Sequence, residues 1–206
     1  MSKIFVCWCL LVLTTGFVKK SDFDRYLSYL TGNFDNRAQI EAERKAGKQI
    51  HPYAKHITRI VQDRVKNVPA GYNGVFVLEE SYYKYPDKDT IVKPYIFRFE
   101  KGSAGEVILH SVAIPASIDK ATFRNSDPNW TLNFEDLRDS PTFKPAAYQK
   151  TKRGFYLKNP IELGNGLRFT LEETIGKGFL EVMELTEKDG KSLTPYTTPL
   201  EYKKLK

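Results

Sequence analysis

The chain has 206 residues, 41% hydrophobic and 28% charged, a globular balance that excludes a disordered or fibrous chain and bounds it at one domain or a small pair. Its 12 Tyr and 13 Phe beside 2 Trp and 2 Met favour pleated, half-buried β structure. The formal net charge of +7 is scattered rather than clustered, which excludes a nucleic-acid-binding arm and suits an anionic small ligand or an acidic surface.

Lys3 precedes an uncharged stretch from Ile4 to Val18, followed by Lys19-Lys20. A basic start, a short apolar run and small residues at Thr14-Thr15-Gly16 match a secretory signal peptide over residues 1–16. The stretch is shorter than the about 20 residues that a membrane span needs; a buried helix or an uncleaved anchor is the alternative. Cleavage leaves residues 17–206 as one exported domain, periplasmic or extracellular and not integral to a membrane. Without a working signal the chain is cytoplasmic. Cleavage also removes Cys7 and Cys9, and with them any disulfide, thiolate nucleophile or Cys-bound metal.

Ser21-Asp22-Phe23-Asp24 has the form of a capping box. Phe23, Tyr26, Leu27 and Leu30 then recur at helical spacing until Gly32 stops the run. Ala38–Ala46 suits a second helix or a loop, and Ile57–Val65 suits a helical face as well as a strand. From Gly74 the pattern is β. Gly74–Tyr85 is rich in Val, Phe and Tyr, and Pro86-Asp87-Lys88-Asp89 is a turn signal. In Ile91–Glu100, Tyr95, Phe97 and Phe99 share one face, with Ile96, Arg98 and Glu100 on the other. Val107–Ile114 is a short strand, Pro115–Pro145 a long connection, and Tyr148–Leu157 a strand broken near Gly154. Two alternating runs around Gly176-Lys177-Gly178 predict a hairpin, and Pro199–Leu205 supplies a closing strand. Roughly seven or eight strands with close turns imply a sandwich or barrel.

Three segments together resemble the T-type phycobiliprotein chromophore lyases (the CpcT/CpeT family). Tyr29-Leu30-Thr31-Gly32-Asn33-Phe34-Asp35-Asn36-Arg37-Ala38-Gln39 is similar to that family's helix end, a Leu-x-Gly-x-Phe turn with Asn-x-x-Gln. Val77-Leu78-Glu79-Glu80-Ser81-Tyr82 resembles its tyrosine-ended strand, and Pro94-Tyr95-Ile96-Phe97-Arg98 its Pro-Tyr-Arg-x-Arg strand. The match covers roughly residues 23 to 100, while the C-terminal half agrees loosely in strand pattern. The resemblance implies a lipocalin-like (calycin) antiparallel β-barrel behind an N-terminal amphipathic helix. It implies an open-chain tetrapyrrole (bilin) as bound substrate, delivered to a cysteine of a phycobiliprotein β subunit as a thioether. No other cofactor is expected.

The residues carried over as ligand-binding are Asn36, Gln39, Glu79, Glu80, Tyr82, Tyr95 and Arg98, with none catalytic. Arg98 is the cation expected to meet a propionate, while Ile96 stands at the family's first arginine and Glu80 at its glutamine. Asn36 and Gln39 equally suit a purely structural turn, Tyr82 and Tyr95 plain barrel packing, and Glu79 with Arg98 a cross-strand charge pair. The alternative function is an exported lipocalin-like protein that binds a hydrophobic anion without attaching it. A purely structural or interaction protein follows if the interior is full. The partner is a small molecule in either binding case, with a homodimer open and no nucleic acid. His51 and His56 lack a metal-ligand spacing, and the familiar hydrolase and phosphate-loop motifs do not occur. Glu79-Glu80 and Glu172-Glu173 are adjacent on strands and point to opposite faces, so neither is a carboxylate dyad.

Overall fold

The computed structural model describes residues 20–85 and 88–206. The expected signal segment, its two cysteines and the Pro86-Asp87 part of one turn lie outside them. Helix α1 (Asp22–Leu30) is capped by the Ser21 hydroxyl, which accepts from the Asp24 N–H at 3.1 Å. Tyr26, Leu27 and Leu30 make its buried face. Strand β1 (Gly32–Asp35) follows at once, then helix α2 (Arg37–Lys45), so the second helix forms where helix and loop were both open.

The ambiguous segment resolves into strand β2 (Tyr53–Ile60) and a 3-10 turn at Gln62–Arg64. Ala54, His56 and Thr58 alternate inward there with half-exposed outer residues, and the β-branched content favours the strand. The meander continues through β3 (Val75–Lys84), β4 (Ile91–Lys101), β5 (Val107–Ala113), β6 (Ala146–Lys150), β7 (Phe155–Gly164), β8 (Leu167–Gly176), β9 (Phe179–Lys188) and β10 (Leu200–Lys204).

Each strand pairs antiparallel with the next, and β10 pairs with β1, which closes a ten-stranded up-and-down barrel. This is the expected lipocalin-like antiparallel barrel with its N-terminal helix, built from more strands than the turn spacing suggests. The broken strand at Gly154 is the β6–β7 hairpin, and the Gly176-Lys177-Gly178 signal is the β8–β9 turn. Closure removes the free sheet edges.

One end of the interior is filled. Tyr26 of α1, fully buried, packs on Phe99, Tyr148 and Phe155 with ring centroids 5.1, 4.8 and 5.3 Å away. Ile175, Leu180 and Leu200 complete that core. A second core lies on the outer face of β3–β5. There Phe76, Leu78, Ile96 and Val112 are covered by Phe123, Trp130 and Leu132 of the connection between β5 and β6. The wall from β3 to β5 is therefore buried on both sides.

Candidate functional site

The other half of the barrel interior is not filled. A cavity of about 130 Å³ lies there, walled by Phe97, Leu109, Ile161, Phe169, Leu171 and Val182. Its polar lining is His56, Glu79, Glu173, Glu184, Ser111, Asn159 and Tyr95, with Phe143 and the exposed Lys144 of the long connection also contributing. Strand alternation places these groups: Glu79 on β3 stands opposite Tyr95 on β4, and Leu171 on β8 stands opposite Glu184 on β9. Glu173 shares the inward face of β8 with Leu171 and Ile175.

The three interior carboxylates differ in their surroundings. Glu79 is ion-paired to His56 at 3.0 Å and accepts from Ser81 at 3.1 Å and Thr58 at 3.3 Å. Burial pushes the Glu79 carboxyl up, but the His56 charge and these donors outweigh it and hold it below its ordinary value. Burial likewise pushes His56 down, and Glu79 outweighs that to hold the imidazole above its ordinary value. The His56 Nε2 side meets the Tyr202 hydroxyl at 2.9 Å. Glu173 accepts from the Tyr148 hydroxyl and is pushed by burial up to about 7. Glu184 accepts one long bond of 3.4 Å from Tyr83 and is raised by burial. Among the described residues, neither Glu173 nor Glu184 belongs to an ion pair.

Of the residues that sequence reasoning singles out, two reach this cavity: Glu79 and Tyr95. Arg98, expected at the ligand, points to the outer face of β4 instead. Its guanidinium contacts Glu100 at 3.0 Å, Asp139 at 3.1 Å and the His110 ring at 2.7 Å. It is one residue out of step with Tyr95 and Phe97, and the strand period of two turns it away from the interior. Glu80 also faces outward, buried beneath the long connection, where it accepts from the Asn125 N–H at 2.6 Å and from the Tyr82 hydroxyl. Asn36 is fully buried, donates to the Pro52 carbonyl at 2.9 Å and accepts from the Ala54 N–H at 2.8 Å. Gln39 donates to the Pro199 carbonyl at 2.9 Å and accepts from the Glu201 N–H at 3.0 Å. These two bracket α2 to β2 and β10, where the barrel closes.

The chain matches no family model, no curated protein and no solved structure. Among the described residues no cluster of His, Cys, Asp and Glu is placed to hold a metal ion, and no helix is long and apolar enough to cross a membrane. His56 and Glu173, set aside in the sequence as a metal ligand and as half of a carboxylate dyad, line the cavity, and so does Glu184, which the sequence reading did not single out. A signal was present for Glu173, which interrupts the inward apolar series Phe169–Leu171–Ile175, whereas Glu184 follows Leu180 and Val182 on a face that continues with Thr186 and Lys188. Chemically, the site offers an apolar wall, buried carboxylate acceptors and a lysine.

Proposed function

We propose that this barrel binds a small molecule in its interior, with Glu79 as the acceptor for nitrogen-bound hydrogens of the ligand. The observation that carries the proposal is that Glu79 and Tyr95, from two of the segments that resemble T-type chromophore lyases, stand opposite each other on one cavity wall. An open-chain tetrapyrrole, the ligand that the resemblance implies, carries pyrrole N–H groups for such an acceptor and propionates that Lys144 can meet. Space of about 130 Å³ suits a single ring, since a cavity of roughly 150 Å³ takes up benzene. The remainder of a tetrapyrrole would lie across the opening. On the lyase-like reading the barrel holds and orients the bilin while the thiol comes from a phycobiliprotein β subunit. An exported carrier with no attachment activity would use the same cavity. A hydrophobic anion is disfavoured there, because its charge would meet Glu79, Glu173 and Glu184.

The test is an absorbance titration of the chain from Phe17 onward with phycocyanobilin and with biliverdin. The wild type should give a red-shifted, sharpened band at micromolar protein. Glu79→Gln should weaken binding about tenfold, and Arg98→Ala should leave it unchanged. No spectral change with either bilin ends the tetrapyrrole reading, and binding without transfer to an acceptor cysteine leaves the carrier.

A further inference from the structure

We infer that the cavity selects a ligand with a positively charged nitrogen on a ring-sized apolar body, an organic ammonium or similar protonated base, and that Glu173 and Glu184 are its counter-charges. The inference rests on the cavity being a binding site and names the class of ligand it takes.

The interior charges balance only in part. Glu79 and His56 form a complete pair, supported by Ser81, Thr58 and Tyr202. Nothing of the kind serves the other two carboxylates. Glu173 has a tyrosine hydroxyl and Glu184 a single long bond. The register sets them diagonally across β8 and β9, because Leu171 is the residue opposite Glu184; diagonal neighbours are about 7–8 Å apart. Two carboxylates at that spacing in an apolar barrel repel each other and lose hydration, so each resists ionisation unless a cation arrives.

The cavity is the second observation. It is ring-sized, at about 130 Å³, and both Glu173 and Glu184 line it beside the apolar side chains of Phe97, Phe169 and Leu171. Lys93 and Lys144 are both exposed, and neither forms an ion pair with the interior glutamates. A ligand ammonium would meet both carboxylates while its ring rests on Phe97, Phe169 and Leu171.

Binding should also depend on pH. The titratable groups that act on Glu173 are Tyr148, Glu79, His56 and Glu184, and those that act on Glu184 are His56, Lys93, Glu79 and Tyr83. Acidification protonates Glu173, whose carboxyl burial has pushed up to about 7, and Glu184, also raised, so affinity for a cation falls as pH drops through about 7. Cation uptake at neutral pH in turn releases protons from the glutamates.

Three probes of one shape and different charge decide the matter: benzylamine, benzyl alcohol and benzoate, titrated calorimetrically into the full chain at pH 7.5 in two buffers of different ionisation heat. Benzylamine should bind at least tenfold more tightly than benzyl alcohol, with proton release, and benzoate least. In the Glu173→Gln/Glu184→Gln double variant, the amine and the alcohol should become equal. The Glu184→Gln single variant, with Glu173 intact, should lose part of the preference and serves if the double variant does not fold. Equal or tighter binding of benzyl alcohol or benzoate by the wild type overturns the charge selection and leaves the cavity as a binding site. Failure of all three to bind overturns both.

Discussion

Replacing Glu173 by Gln should change the pH profile of stability in a calculable way. Burial raises the Glu173 carboxyl from its ordinary 4.5 to about 7, so between those values the folded chain holds a proton that the unfolded chain has lost. Stability then falls as pH rises through this window, and the loss is complete above pH 7. At about 1.4 kcal/mol per pH unit the cost is about 3.5 kcal/mol. Glu173 keeps partial exposure to the cavity, which lowers the expected figure to about 2 kcal/mol. Glutamine preserves an oxygen acceptor for the Tyr148 hydroxyl and removes the charge. Urea unfolding at pH 5, 6, 7 and 8 provides the assay. Glu184, also raised, and His56 contribute slopes of the same sign in both proteins, so the difference between the two profiles reports Glu173 together with the smaller support its charge gives to His56. The variant should gain about 2 kcal/mol on the wild type between pH 5 and pH 8. Parallel profiles would refute the claim that an uncompensated carboxylate stands inside the barrel.

Other perturbations test the remaining parts of the structure. Burial alone depresses His56 and Glu79 reverses that, so Glu79→Gln should carry the His56 ring-proton titration, followed by NMR, below its ordinary 6.5; an unmoved titration would contradict the pair. Asn36→Ala removes two buried side-chain bonds to backbone at Pro52 and Ala54 and should cost about 2–4 kcal/mol in urea unfolding. Gly154 has φ +145°, and an added Cβ would stand 2.0 Å from the Ile175 carbonyl oxygen. Gly154→Ala should therefore lower stability by about 2 kcal/mol or more, and a change within 0.5 kcal/mol would show that the β6–β7 turn is freer than drawn.

Local pattern carried much of the fold. The Ser21 cap, the spacing of Tyr26, Leu27 and Leu30, and the glycines of the β8–β9 turn each depend on residues a few positions apart, and these elements stand where the sequence puts them. Barrel closure depends on four-residue β1 meeting β10 at Phe34 opposite Lys204, a pairing of distant segments that no local pattern announces. The inward face of β4 is a subtler case. Alternation separates Tyr95 and Phe97 from Ile96 and Arg98, but it names the inner side only when one side is wet. Here the long connection buries the outer side of β3 and β4 as well, so an apolar residue such as Ile96 marks neither face. Arg98 was expected at the ligand from the family resemblance alone, and its partners are Glu100, Asp139 and His110 on the outer wall. Glu79 and Tyr95 do meet at the cavity, while Glu173 and Glu184 needed the β8–β9 register before their shared environment could be seen.

The most direct measurement of whether the ligand lies inside the barrel is a comparison of wild type with Leu171→Trp, an indole placed on the cavity wall beside Glu173 and Glu184. Circular dichroism and melting show whether the barrel is retained, and bilin absorbance and benzylamine calorimetry show whether it still binds. The account predicts a folded protein in which both ligands lose at least tenfold in affinity. A folded Leu171→Trp barrel that binds either ligand as tightly as the wild type would place that ligand outside the cavity and contradict the account.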